Sequence, residues 1–460
     1  MIPYFNCHSH TYYSNIRLLD CINKPSDLID TAIHLGLSGI AITDHECLSA
    51  HMEVNQYAKE IKEKYPDFKI ALGNEIYLVD ERAPKIKYYH FILLAKDAIG
   101  HKALRELSTI AWKNLYVDRR MERVPTTKEE LFTIVNKYKG HLIATSACAG
   151  GELSTLALQF ANEPENQIIL RKIKEFIQYC LNLFGEDFYI ECAPSAFPDQ
   201  CKINKVLYQL SQEYNIKMTI GLDAHYLTKK DRFIHKAYLN SKNGDREVDS
   251  FYEFTYLMNS DECTELLRKS LPDVVIQEIF KNTIEIQNKI QEYDLERKQI
   301  IPKVEVHNYQ KGSYPWLLNK NKYPILFSLI NSDEPQERYW INECLLSLHQ
   351  KGLEKDDYYA RLEIEADIIR TIGNKLEDCL FAYFNTFKHY IDLFWDCGSI
   401  VGPGRGSATG FLSNYLLGIT QLDPIRWDIK YWRFLNKERV ELPSLILILG
   451  SCKKRTLTIA

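Results

Sequence analysis

Residues 38–45 read SGIAITDH, a short apolar strand that ends on an aspartate and a histidine. An apolar run of that length fits a strand covered on both faces. Polar groups arriving at its C-terminal end are what a parallel α/β sheet presents where its ligands gather. Upstream, Ser26 follows Pro25 and is placed to cap a helix whose Leu28, Ile29, Ala32 and Ile33 share one face, with Gly36 to end it. Downstream, a helix around residues 51–64 leads into KIALGNEIYLV (69–79), which delivers Glu75, and YYHFILLA (88–95) carries His90. Thr127 and Glu130 form a capping box for a helix ending near Gly140, after which HLIATSAC (141–148) sets Cys148 at its end. FYIECAP (188–194) is a further strand, residues 200–214 read as a helix, and KMTIGLDAHYL (217–227) ends with Asp223 and His225. This alternation predicts a parallel sheet. The polar residues at strand C-termini point to a barrel with its site on that face.

At the start of the chain, YFNCHSH (4–10) reads as a strand with His8 and His10 two residues apart, so that both imidazoles face the same way. An isolated H-x-H more often marks ordinary hydrogen-bonded histidines than a ligand pair. The weight comes from the company it keeps.

A second informative stretch is VGPGRGSATG (401–410). Glycines let a backbone approach an anion and turn N–H groups toward it, while Arg405 and Ser407 add charged and hydroxyl donors. In isolation a tight surface turn is as good a reading. A Walker loop is excluded because no lysine follows the glycines.

The run from 401 to 443, VGPGRGSATGFLSNYLLGITQLDPIRWDIKYWRFLNKERVELP, resembles the palm of bacterial and phage C-family DNA polymerases, the DNA polymerase III alpha subunit type. GPGRGSA, LGIT, DP, RFLN, ERV and a proline occur in the family's order. The resemblance implies nucleotidyltransferase chemistry in DNA replication, with DNA and deoxynucleoside triphosphate as partners and the triphosphate held by Gly402, Gly404, Arg405, Gly406 and Ser407. The first half is similar to the polymerase-and-histidinol-phosphatase (PHP) domain that precedes the palm in that family. H-S-H, T-D-H, G-N-E, Y-H, S-A-C and D-A-H match its metal-ligand positions, which fall here on His8, His10, Asp20, His45, Glu75, His90, Cys148, Asp223 and His225. Asp20 is the least secure match, because residues 15–19 are longer than the corresponding loop of many relatives. Imidazole, carboxylate and thiolate donors suit zinc, iron or manganese, and the set is enough for two or three ions. By resemblance the barrel is a metal-dependent phosphoesterase or 3′–5′ proofreading exonuclease, with His10, Asp223 and His225 in catalytic roles. A retained structural metal clasp is the bland alternative.

One departure bears on activity. The family follows its proline with alternating aspartates that hold two metal ions, yet Ser444 and the run LILIL (445–449) contain no acid and none occurs after Glu441. Magnesium, expected for a complete palm, has no ligands there, and the chain is expected not to polymerise DNA alone. A shifted reading frame or a split gene would account for the tail, and the missing polymerase half would then be a partner. A simple hydrophobic terminal strand is the plain alternative.

The expected fold is therefore a PHP-type distorted (β/α)7 barrel over residues 1–240, a helical connection and linker over 241–316, an incomplete polymerase-beta-like palm over 317–449 and an aberrant tail over 450–460. Helices are expected at 339–353, 359–372 and 381–394, with Gly398 opening a strand into the glycine loop. Tyr383, Phe384, Phe387, Tyr390, Phe394 and Trp395 fall at helical spacing and read as core. A net charge of −4 over 460 residues gives no global basic field, so any DNA contact is local. Twelve cysteines without C-x-x-C pairs and no signal-peptide pattern favour reduced thiols in a cytoplasm. No apolar stretch reaches membrane-spanning length. Two other functions stay open: a free-standing PHP phosphatase acting on small phosphate esters, and a non-catalytic subunit of a split polymerase.

Overall fold

The computed structural model describes residues 2–16, 19–83, 85–118, 121–241, 251–298, 300–312 and 318–438. The apolar terminal run and the tail after it lie outside these residues. The chain divides into two compact units, residues 1–297 and 298–460.

The first unit is built on an eight-stranded sheet: β1 (Phe5–Asn6), β2 (Gly39–Ile42), β3 (Lys69–Val79), β4 (Tyr89–Ala95), β5 (Thr126–Thr127), β6 (Leu142–Thr145), β7 (Phe188–Cys192) and β8 (Met218–Ile220). The strand order is β1-β2-β3-β4-β6-β7-β8, with β5 paired to β3 outside this path. Beyond the strands, a parallel bridge joins Ser9 to Ala224, and the His10 N–H donates to the Ala224 carbonyl at 3.1 Å. These contacts bring the first and last strands together into a nearly closed barrel.

Two cores follow from the alternation of side chains along the strands. Ile40 and Ile42 pack outward under the helices in one large cluster. Ala41 belongs instead to a smaller cluster with Phe5, Cys7, Ala71, Ile92, Ile143 and Tyr189, which fills the barrel and is plugged by Ile286 and Ile290. The helices Ser260–Leu267 and Asp273–Lys289, expected as a connection, thus pack into this unit, and the Thr283 hydroxyl accepts from the Phe5 N–H at 3.1 Å. Strands covered on both faces read as continuous apolar runs, and β2 and β6 are buried at every position.

Three local expectations need correction. The sheet is not all parallel: β4 runs antiparallel to both β3 and β6. No helix separates β3 from β4, and a connection too short for a crossover can only reverse the chain. Ser26 is not the cap of the first helix, which spans Pro25–His34 with Lys24 at the N-cap position and Pro25 in its first turn. Proline fits there because that N–H has no helical partner in any case. Among the described residues Gly398 opens no strand longer than a single bridge residue at Val401, and a 3-10 turn over Gly406–Gly410 follows.

The second unit is helical over its described residues, with Pro324–Ile330, Pro335–Gln350, Asp356–Leu376, Phe381–Asp396 and Leu412–Leu416 around a separate core. Trp340 is wholly buried and meets Phe381 edge-on, ring centroids 4.9 Å apart. Of the aromatics at helical spacing, Phe384 is buried, whereas Tyr390 and Trp395 are exposed. In the expected linker, Ile301 is buried in this core and the Pro302 carbonyl accepts from Thr386.

Candidate metal centre

All nine expected ligands meet at one rim of the barrel. His8 and His10 lie just past β1, His45 past β2, Cys148 past β6, and Asp223 and His225 past β8. Glu75 lies within β3, and His90 near the start of β4. The reversed direction of β4 explains that last position, because an antiparallel strand presents its beginning where its neighbours present their ends. The left-handed backbone of Glu46, Ala147 and Asp223, with φ of 52°, 60° and 49°, turns the chain sharply beside His45, Cys148 and at Asp223 itself. Non-glycine residues held in that region cost of order 1 kcal/mol or more each and tend to gather at functional sites.

Glu75 is the hub. Its Oε2 is 2.6 Å from His45 Nδ1 and 3.3 Å from His10 Nε2, and its Oε1 is 2.7 Å from His90 Nδ1 and 3.5 Å from His8 Nε2. Asp223 Oδ1 lies 3.1 Å from His10 Nε2 and 3.3 Å from His8 Nε2. Asp20 Oδ2 lies 2.9 Å from His45 Nε2 and 3.2 Å from His225 Nε2. Cys148 Sγ is 3.5 Å from His90 Nδ1. Three sets of donor atoms lie close enough to hold an ion: His10, His45 and His225; His8, His10 and Glu75; and Glu75, His90 and Cys148.

The donor geometry fits metal better than it fits a hydrogen-bonded cluster. Both Glu75 oxygens, Asp223 Oδ1 and His45 Nδ1 are buried and make no hydrogen bond of acceptable angle, despite ring nitrogens and carboxylates so near. Buried polar atoms are normally paired. Lone pairs aimed at a common centre explain the exception: bonds near 2.1 Å in a tetrahedral shell leave donors roughly 3.4 Å apart.

A second layer, which the sequence reading did not single out, sets the histidine tautomers. The Glu191 carboxylate lies 2.7 Å from His8 Nδ1 and also accepts from the Thr145 hydroxyl at 2.5 Å, leaving His8 Nε2 for the centre. Asp44 accepts from the Thr11 N–H, the Thr11 hydroxyl and the Ser14 hydroxyl. With its hydrogen committed to Asp44, Ser14 Oγ accepts from His10 Nδ1 at 3.0 Å. His225 donates Nδ1–H to the Asp223 carbonyl at 2.7 Å, and the Asp20 carbonyl lies 2.6 Å from His235 Nε2. Glu191 was visible as one acid inside the otherwise apolar FYIEC; Ser14 carried no comparable signal.

Electrostatics of the metal-free cluster follow from crowding. Burial opposes charge on His8, but Asp223, Glu191 and Glu75 outweigh it and raise its pKa. His45 is likewise lifted to about 10 against burial, by Glu75 and Asp20. His10 is pushed down to about 3 by burial and by the neighbouring His45 and His225. Burial, then Asp223 and Glu75, raises the Cys148 thiol. Bound cations would reverse this order, favouring neutral imidazoles and a thiolate.

In the second unit, Gly404 and Gly406 have φ of 99° and 65°, and a Cβ on Gly404 would lie 2.8 Å from Thr420 Cγ2. Among the described residues, the backbone N–H groups of Gly404, Arg405, Gly406 and Ser407 donate to no protein group, and the exposed Arg405 side chain makes no ion pair. The loop is anchored from the helix Asp356–Leu376. Glu365 accepts from the Leu412 and Ser413 N–H groups at 2.6 and 2.8 Å, and Arg361 donates to Glu365 and to the Gly410 carbonyl.

The comparisons agree with this division. A family model described as the PHP domain matches residues 6–195. A second, described as the bacterial DNA polymerase III alpha NTPase domain, matches residues 333–446. The chain is 38% identical over 478 residues to the Bacillus subtilis protein named probable DNA polymerase YorL, and equally to a DNA-directed DNA polymerase of Bacillus phage SPbeta. It is 29% identical to the DNA polymerase III subunit alpha of Campylobacter jejuni. More particularly, one sequence matches both a PHP domain and a DNA polymerase III alpha NTPase domain, and its similarity to these polymerases runs through both. These alignments cover 95–97% of this chain and 36% of each relative, so the chain spans about a third of their length. Among the described residues no helix is long and apolar enough to cross a membrane.

Proposed function

We propose that the barrel rim is a metal-dependent phosphodiesterase, releasing nucleotides from a DNA 3′ end as the proofreading partner of a polymerase in the cytoplasm. The observation that carries this reading is the gathering of buried donor atoms in three sets close enough to hold an ion, among them both Glu75 oxygens, which make no hydrogen bond. Bound divalent ions, zinc, manganese or iron, would supply charge neutralisation at the phosphate and acidify the attacking water toward neutral pH. His8, His10, Glu75 and Asp223 would hold them, with Glu75 serving two sites. His10 belongs to two of the three donor sets and lies 3.1 Å from Asp223 Oδ1, which supports a catalytic role for His10, Asp223 and His225. Glu191 and Ser14 keep the imidazoles oriented.

The test is release of nucleotide from 3′-labelled single-stranded DNA with manganese or zinc supplied, beside His10→Ala and Asp223→Ala. Release lost in both variants supports the reading. Full metal binding without release would leave a structural clasp.

The glycine loop supports a second role, binding of a nucleoside triphosphate by free backbone N–H groups and Arg405. Nucleotide addition would need further acids to hold magnesium, and residues 444–449 offer none. Arg405→Ala is expected to weaken binding of a fluorescent deoxynucleoside triphosphate about tenfold; equal affinity in the variant sinks this role.

A further inference from the structure

A cavity of about 310 Å³ opens beside the metal centre and is lined in part by two of its ligands, Cys148 and Asp223. Its other walls have a different chemistry. Leu158, Leu222, Phe197 and Phe254 give it apolar faces beside serine and threonine hydroxyls and the Asp199 carboxylate, and Gln200 stands among them with its amide donating to Asn204 at 3.0 Å. Lys87 lies at the same cavity, its ammonium 5.0 Å from the Tyr89 ring centroid. Phe197 immediately precedes the helix Pro198–Tyr214 and is 37% exposed. An aromatic ring left that open beside a cavity is available to a ligand.

Phosphate alone needs donors and cations, which the metal centre and Lys87 provide. The apolar walls contribute nothing to binding phosphate or a polyol ester. They do suit a flat, weakly polar ring, since base-aromatic stacking is favourable for every base. The volume stands at the lower end of the roughly 300–1,000 Å³ found for small-ligand sites. A second cavity of about 350 Å³, between the helix His51–Ile61 and residues 290–294, has no such link to metal-ligating groups, and its lysines and acids pair with one another.

We propose that the cavity beside Cys148 and Asp223 seats the base of the nucleotide whose phosphate reaches the metal centre, with Phe197 and Phe254 as its aromatic walls. This rests on the phosphodiesterase reading for the position of the phosphate. It makes the substrate a nucleotide and not a small phosphate ester, and it leaves the identity of the base open because stacking is sequence-tolerant.

The experiment measures calorimetric binding of thymidine 5′-monophosphate and of inorganic phosphate to the manganese-loaded chain and to Phe197→Ala. The same proteins are assayed on the p-nitrophenyl ester of thymidine 5′-monophosphate and on glycerophosphocholine, a diester without a ring. The nucleotide is expected to bind at least tenfold more tightly than phosphate. Phe197→Ala should weaken nucleotide binding about tenfold and raise KM for the nucleotide ester, with phosphate binding and the simple diester unchanged. Leu158→Trp, which fills the cavity from another wall, should do the same if loss of Phe197 disturbs the following helix. Nucleotide binding no tighter than phosphate, or losses shared equally by both ligands, overturns the proposal. Base-dependent binding without hydrolysis of either ester sustains this proposal and removes the phosphodiesterase reading instead.

Discussion

Glu191 touches no expected metal-binding atom, yet it determines which nitrogen of His8 faces the centre. It is 2% exposed, and the chain makes room for it with Gly221, where a Cβ would lie 2.0 Å from Glu191 Oε1. Partners of this kind typically change metal affinity by 10–100-fold. Glu191→Gln keeps the shape but removes the charge and sets an amide against the Thr145 hydroxyl. We expect manganese affinity to fall about tenfold with the circular dichroism spectrum unchanged; an unaltered titration would show that His8 needs no such support. Gly221→Ala should reproduce the loss by displacing the same carboxylate. Eight of the nine expected ligands were legible as a group because each stands in a short polar motif at the end or edge of an apolar run; Asp20 stands in none, and only the fold brings it beside His45 and His225. The supporting layer was not, since Ser14 and Asp44 act through hydrogen bonds that only the folded loop creates.

At the level of elements, the boundaries that were legible have local causes. KIALGNEIYLV forms β3 over the whole predicted span, and the Thr127–Glu130 capping box is present with both of its hydrogen bonds. The reversal of β4 was not legible, because an apolar run reads the same in either direction and the missing crossover is known only from the connection. The helix Ala98–Lys113 shows how such elements are fixed. Asp97 accepts from the Ile99 and Gly100 N–H groups at 2.9 and 2.8 Å and lies 2.7 Å from His141 Nδ1. Burial works against the charge on Asp97, but the Gly100 N–H and His141 prevail and lower its pKa. A carboxylate held low in the folded state stabilises it fully above the unfolded value, near 3.9, and loses that contribution as pH falls through the folded value. Asp97→Ala should therefore cost about 1 kcal/mol in urea denaturation at pH 7, with the gap to the parent chain closing below pH 4. A gap that persists at pH 3 would assign the effect to packing. In the second unit, Glu365→Ala would take from Arg361 its carboxylate partner and leave two backbone N–H groups unpaired beneath the glycine loop. Breaking a buried pair costs about 3 kcal/mol or more, so denaturation should show a loss of that size, and Glu365→Gln, which keeps an acceptor, a smaller one.

For the molecule as a whole, the relation between metal and stability follows from where the ligands lie. All nine expected ligands come from residues 8–225, within the first unit, and they are drawn from nearly every strand end of the barrel. An ion bound there ties the first strand to the last and has no counterpart in the unfolded chain, so binding energy becomes folding energy. At free manganese a hundredfold above Kd the gain is about 2.7 kcal/mol. Trp112 is the one tryptophan of the sequence before residue 298, and its indole N–H donates to the Glu46 carbonyl at 2.8 Å, one residue from His45. Its environment is thus tied to the ligand loop, whereas the remaining tryptophans follow residue 297. Scanning calorimetry with and without a chelator should move the transition of the first unit and leave that of the second in place, and the Trp112 emission, isolated by replacing the other tryptophans with phenylalanine, should follow the moving one. Lowering the pH should weaken the metal's effect progressively, because protons compete for the same imidazoles and, without metal, His8 and His45 hold theirs more tightly than an ordinary imidazole. A chelator that shifts both transitions equally, or neither, would contradict an ion held solely by the barrel rim.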